Sequence, residues 1–151
     1  MTTTPSLSLW EAYTMESLRA KGLADKDLFS YLANQDMKGL KSVDKALDYT
    51  DLMRAYRQSP AQLKTAIDSQ YKIKFPTRNG IKNLLKLKFE LEAQLDYTLS
   101  ETSFIGVPLT KEQLHTVQIM FEPIWKLKVN HQNDEKYNTT IYHASTLLNE
   151  Q

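Results

Sequence analysis

Few residues of this chain are of types and spacings that could do chemistry. His115, His131 and His143 are its histidines, and no two stand four apart around a glutamate, the helical spacing that presents two imidazoles and a base to zinc. Cysteine is absent, which removes disulfides, thiolate nucleophiles and cysteine-held metals. No Gly-x-Ser-x-Gly elbow occurs, and 4 glycines do not make a Gly-rich phosphate loop. Asp44, Asp48 and Asp51 fall on one side of an expected helix, but a single face splays carboxylates towards water, and Lys41 and Lys45 lie nearby. They read as a solvated face. The expectation is a non-enzymatic protein with no catalytic residue, metal site or cofactor.

The chemistry that remains is electrostatic. The net charge is only +1, yet residues 60–89 hold 7 basic and 1 acidic side chains, residues 1–59 hold 8 of each, and residues 90–151 hold 4 and 9. Lys64, Lys72, Lys74, Arg78, Lys82 and Lys86, with the amides of Asn79 and Asn83, form a candidate nucleic-acid-binding set. The cations would meet phosphate, and the amides could reach base edges. Arg78, Lys82 and Lys86 are successive i, i+4 neighbours, so a helix through them has one basic side. In YKIKF, residues 71–75, Tyr71 and Phe75 interleave with lysines, which suits base stacking and equally suits a strand with one buried face. The function expected is a nucleic-acid-binding regulator, for instance of DNA, using the basic block 64–88. The alternative is a protein-interaction module, an adaptor or inhibitor for an acidic or helical partner or a second copy, with no nucleic-acid role.

Helix starts are the clearest local signals that position these residues. Ser8 with Glu11, and Thr110 with Gln113, have the spacing of a capping box. Ser59-Pro60-Ala61-Gln62 joins a cap to a proline at the first helical position, with Gln62 where a third capping box wants it. These predict helices over about 9–21, 60–70 and from 110 to a stop or kink at Pro123, with Gly22 ending the first. Asp25 would cap a short helix, Ser42 would cap one running to about Gln58, and residues 34–39 would connect them. Residues 71–76 read as an extended connector, and Thr77 as the cap of the basic helix. The two helices flanking that connector give a helix-turn-helix-like layout.

Two periods compete from Leu85 to Leu99. Apolar residues alternate without exception, which is the strand signature, but the residues are mostly Leu, Lys, Glu, Gln and Ala, and so long a strand would be unusual. The helix is preferred, with Leu87, Leu91, Leu95 and Leu99 as its ridge. Residues 100–109 read as a loop tacked onto the core, a strand at 124–129 competes with the preceding helix, and a last helix is expected over 135–149. The fold expected is therefore all-α, one globular domain over 1–151 with about six to seven helices. The alternative is α+β, a helical N-terminal half with an antiparallel sheet from about 71–99 and 117–145. No apolar run approaches the ~18 residues of a membrane span, and no basic-then-apolar leader opens the chain. A soluble cytoplasmic protein with no membrane partner is expected.

Overall fold

Of the three capping boxes that the sequence marks, at Ser8, Thr110 and Ser59-x-x-Gln62, the first two are built in full, and at Ser59 the hydroxyl accepts from the Gln62 amide without the reciprocal bond. In a computed structural model that describes residues 4–133 and 135–145, the Ser8 hydroxyl accepts from the Glu11 amide while the Ser8 amide donates to the Glu11 carboxylate at 2.9 Å. Thr110 and Gln113 repeat the exchange. The chain divides into two compact units, Met1–Phe75 and Pro76–Gln151.

The first unit is helical. It contains α1 (Leu9–Ala20), α2 (Asp25–Ala33), α3 (Met37–Val43), α4 (Thr50–Gln58) and α5 (Pro60–Asp68), with two short strands, β1 (Ser6–Leu7) and β2 (Lys72–Ile73), paired in parallel. Met15, Leu18, Leu28, Leu32, Leu40, Leu52 and Leu63 fill its core. Across that core the Tyr71 hydroxyl donates to the Glu16 carboxylate at 2.6 Å, and Arg19 pairs with the same oxygen at 3.3 Å. Gly22, at φ 97°, lies just past the C-cap of α1 as expected.

Three local expectations fail here for identifiable reasons. Asp25 is a first-turn residue of α2 and not its cap, because its carboxylate is held by Arg19 at 3.0 Å. The expected connection at 34–39 instead starts α3, capped by Asp36. The helix expected from Ser42 to Gln58 is broken between Val43 and Thr50, so the three aspartates share no helical face. Asp44 accepts from the Ala46 amide and Asp48 from the Thr50 amide and hydroxyl, competing with helix for those donors. The Thr50 bonds hold the Asp48 carboxyl below its ordinary range.

The second unit overturns the all-α expectation. It holds α6 (Arg78–Phe89), β3 (Thr98–Leu99), β4 (Ser103–Thr110), α7 (Lys111–Phe121), β5 (Trp125–Asn133) and β6 (Lys136–His143). The four strands form one antiparallel-paired sheet in the order β3-β4-β6-β5, so the fold is α+β. The region expected as a last helix is instead the strand bonded on both sides, where β-branched Thr139, Thr140 and Ile141 suit a pleated surface better than a helix. Residues 144–145 form a turn, and the remainder of that expected helix lies outside the described residues. The expected loop at 100–109 contains β4. Its inward residues are Phe104, Val107 and Leu109, and the step of three between the first two is a bulge against β6 at Gly106, whose φ is 77°. Pro108 is tolerated because beyond Ile105 this strand has one neighbour rather than two.

α7 packs on β4, β5 and β6, burying Val117, Met120 and Phe121 against Phe104, Val107, Leu109 and Ile141. Trp125 is edge-on to Phe104 at 5.7 Å and donates its indole N–H to the Pro76 carbonyl at 2.8 Å.

The helical choice at 78–89 holds, but α6 does not run to Leu99. Glu90 stands in the left-handed region at φ 58°, and the Leu91 amide returns to the Leu85 carbonyl at 3.2 Å, closing the helix C-terminus. The leucine ridge is therefore not continuous: Leu91 is buried on the following turn, while Leu95 is 78% exposed. A left-handed non-glycine costs about 1 kcal/mol, and a carboxylate at a helix C-terminus faces the wrong end of its dipole. Glu90→Gly should raise stability by about 0.5–1 kcal/mol in urea denaturation. A loss of about 1 kcal/mol, the cost of glycine inside a helix, would mean that the helix continues through this position.

Candidate nucleic-acid interface

Eight residues were singled out by charge and spacing, and the structure divides them between the two units. Lys64, Lys72 and Lys74 belong to the first. Lys64 is ion-paired with Asp68 at 2.8 Å and lies 5.2 Å from the Phe29 ring centre. Lys72 is half-buried on β2, and Lys74 is exposed just beyond it. The interleaved aromatics part company. Tyr71 is buried with its hydroxyl on Glu16 and offers no ring to a base, whereas Phe75 is 78% exposed. The helix-turn-helix-like layout is not a tight two-helix motif, because β2 intervenes and the division between units follows it.

Arg78, Asn79, Lys82, Asn83 and Lys86 all belong to α6, and this helix does bring them together. It begins at the Thr77 cap, whose hydroxyl accepts from the Gly80 amide at 3.1 Å. Ile81, Leu84 and Leu85 are buried, which turns Arg78, Asn79, Lys82 and Lys86 outward and leaves Asn83 at the margin. The helix has no acidic residue. Arg78 donates Nε to the Ser100 carbonyl at 2.8 Å, which fixes the side chain and leaves guanidinium N–H groups over. Lys86 meets Glu92 across 3.4 Å in an exposed pair of little energetic weight. Lys82 has no ion-pair partner among the described residues.

Beside this face an open pocket of about 430 Å³ is lined by Lys82, Asn83 and Lys86 from the helix and by residues 91–94 and Leu99 from the turn that follows. Helix is expected through residues 90–99, and the left-handed Glu90 that ends α6 puts this turn there instead. Tyr97 anchors the turn, packing on Phe104 at 5.8 Å. The pocket wall carries Lys82 and Lys86 and also the Glu92 carboxylate that meets Lys86, so the Lys82 side of this partly apolar recess is the part that can hold a phosphate.

No group of three or more histidine, aspartate or glutamate side chains able to hold a metal converges among the described residues. No helix is long and apolar enough to cross a membrane, again among the described residues.

The Tyr97 hydroxyl is buried and has no hydrogen-bond partner among the described residues. Burial, and secondarily the charge of Asp96, push its pKa from 10 up to about 12, with Arg78 opposing. A raised folded value means that the unfolded state ionises first. The stability tied to this group is thus complete below pH 10 and lost between 10 and about 12. Tyr97→Phe should raise stability at neutral pH by about 1 kcal/mol, since it deletes an orphaned polar group. It should also flatten the alkaline decline seen in urea midpoints. A destabilisation of similar size would show that the hydroxyl is bonded. Comparison with protein-family models, with curated proteins and with solved structures finds no match to this chain.

Proposed function

We propose that the protein is a non-catalytic nucleic-acid-binding regulator that meets phosphates with the outward side of α6. The observation that carries this reading is that Arg78, Lys82 and Lys86 lie one turn apart on the exposed side of a helix with no acidic residue, above an open pocket. Phosphate contacts of this kind position a protein without reading sequence, and Asn79 and Asn83 are the side chains placed to add base contacts. A second reading, a protein-interaction module with no nucleic-acid role, draws on Leu95, an exposed leucine on the turn beside the same pocket.

Binding to a labelled duplex and to a single strand, followed across salt concentrations, separates the two. Each neutralised phosphate contributes roughly −0.9 to the log-log slope on duplex DNA, so three contacts give about −3. The triple substitution R78Q, K82Q and K86Q should flatten that slope and weaken binding to unrelated sequences alike. Stability should fall by no more than about 1–2 kcal/mol, from the lost Ser100 hydrogen bond and the exposed Glu92 pair. Absence of any binding by the unaltered protein at ~50 mM salt overturns the nucleic-acid reading and favours the interaction module.

A further inference from the structure

The sheet carries a basic face that the candidate site does not include. In β4, β5 and β6 there are 3 lysines, Lys126, Lys128 and Lys136, and no aspartate or glutamate. Strand register sorts their side chains. Trp125, Leu127 and Val129 share the face of Ile141 and Thr139 that α7 covers, so Lys126 and Lys128 take the opposite face with their cross-strand partners Tyr142 and Thr140.

On this outer face Tyr142 is half-exposed between Lys126 on β5 and Ser103 on β4. Next along lie Lys128 and Thr140. The Asn130 amide donates to Asn138 Oδ1 at 2.9 Å and to Thr140 Oγ1 at 3.0 Å, giving a fixed array of amide and hydroxyl groups. Ile105, 44% exposed, adds an apolar surface where the β4 bulge lies. An aromatic ring with one lysine across from it, a second lysine in the next row and fixed amides in the row beyond is a combination that holds unpaired bases. The ring offers a stacking face, the cations track the backbone, and the amides meet base edges.

We propose that the outer face of the β4-β6-β5 sheet binds single-stranded nucleic acid, with a base stacked on Tyr142 and the backbone alongside Lys126 and Lys128. Duplex is the weaker ligand here, because its bases are stacked on one another and cannot lie against the ring. An acidic peptide would satisfy the lysines but gains nothing from Tyr142 that a leucine would not supply. The proposal rests on the nucleic-acid reading of the protein and places a second contact surface within the same unit.

The test is fluorescence anisotropy with a labelled 20-mer of oligo(dT), a duplex of equal length and a polyglutamate competitor. The unaltered chain is compared with Lys126→Glu, Tyr142→Phe, Tyr142→Leu and the α6 triple substitution. Lys126→Glu should weaken the single strand about 10-fold or more. Tyr142→Leu should weaken it by at least about 5-fold, the low end for a stacked base, while Tyr142→Phe should bind like the unaltered chain. A urea midpoint of the Tyr142→Leu variant close to that of the unaltered chain shows that its lost binding is lost stacking and not lost folding.

Equal binding by Phe and Leu variants, a preference for duplex, or displacement by polyglutamate as effective as by unlabelled oligo(dT) would each overturn the sheet proposal. If the α6 substitution abolishes binding while the sheet variants leave it intact, the proposal fails and the α6 reading stands. If the sheet variants abolish it and the α6 substitution does not, the sheet proposal holds and the α6 face is not the contact. No binding by the unaltered protein ends both.

Discussion

The second unit depends on β6 being a strand, because β6 is bonded to β4 on one side and to β5 on the other. Without it β4 would keep only its short pairing with β3, and β5 would be a lone strand. With it they run parallel to each other at a distance of two strands, and α7 spans all three. The core follows from the same pairing. Phe104, Ile141 and Leu127 form one row across the sheet, and Val107, Thr139 and Val129 form the next. Thr139 is buried in this row, its hydroxyl donating to the Tyr137 carbonyl at 3.0 Å. One satisfied polar group in a central row costs little, whereas an unpaired one would cost about 1–3 kcal/mol.

What could be read from the sequence divides along the line between local and non-local physics. Ser8, Ser59, Thr77 and Thr110 were legible as caps because a cap is made by side chains within three residues of the amides they satisfy. β6 was harder to read because its helix-poor letters become a strand only through pairing with β5 on one side and, some thirty residues away, with β4 on the other. β4 was hidden for another reason. Its bulge inserts a residue between Phe104 and Val107, and an alternation broken by one step looks like no alternation at all. Residues 85–99 show the converse error, a faultless period of two that is not a strand. There the helix-forming residues decided the outcome as far as Phe89, and the left-handed Glu90, a residue type that gives no warning of such a conformation, decided where it stopped.

Of the eight candidate residues, the five on α6 could be grouped from spacing alone, since i, i+4 neighbours on a helix need no tertiary information. Lys64, Lys72 and Lys74 could not be separated from them, because continuous charge along the chain carries no mark of a division between units. Tyr71 shows how aromatic content misleads in the same way. Its ring and hydroxyl belong to a buried pair with Glu16, and a tyrosine in a lysine-rich pentapeptide looks identical whether its partner is a base or a carboxylate.

The charge of the C-terminal half shows why net charge per segment is a poor guide to surface. Residues 90–151 carry 4 basic and 9 acidic side chains, which suggests an acidic half able to neutralise the basic block. The fold distributes those charges by element. Glu90, Glu92 and Asp96 lie on the turn after α6, and Glu101 precedes β4. Glu112 lies in the first turn of α7, where it complements the helix dipole, Glu122 follows that helix, and Glu135 lies between β5 and β6. Among the described residues none of these carboxylates is in a strand, while Lys126, Lys128 and Lys136 all are. A segment that sums to −5 therefore contains three long strands whose own charged residues are all lysines. Charged surfaces in such a fold are set by strand register and helix phase, which operate over two and four residues, and a sum over sixty cannot see them.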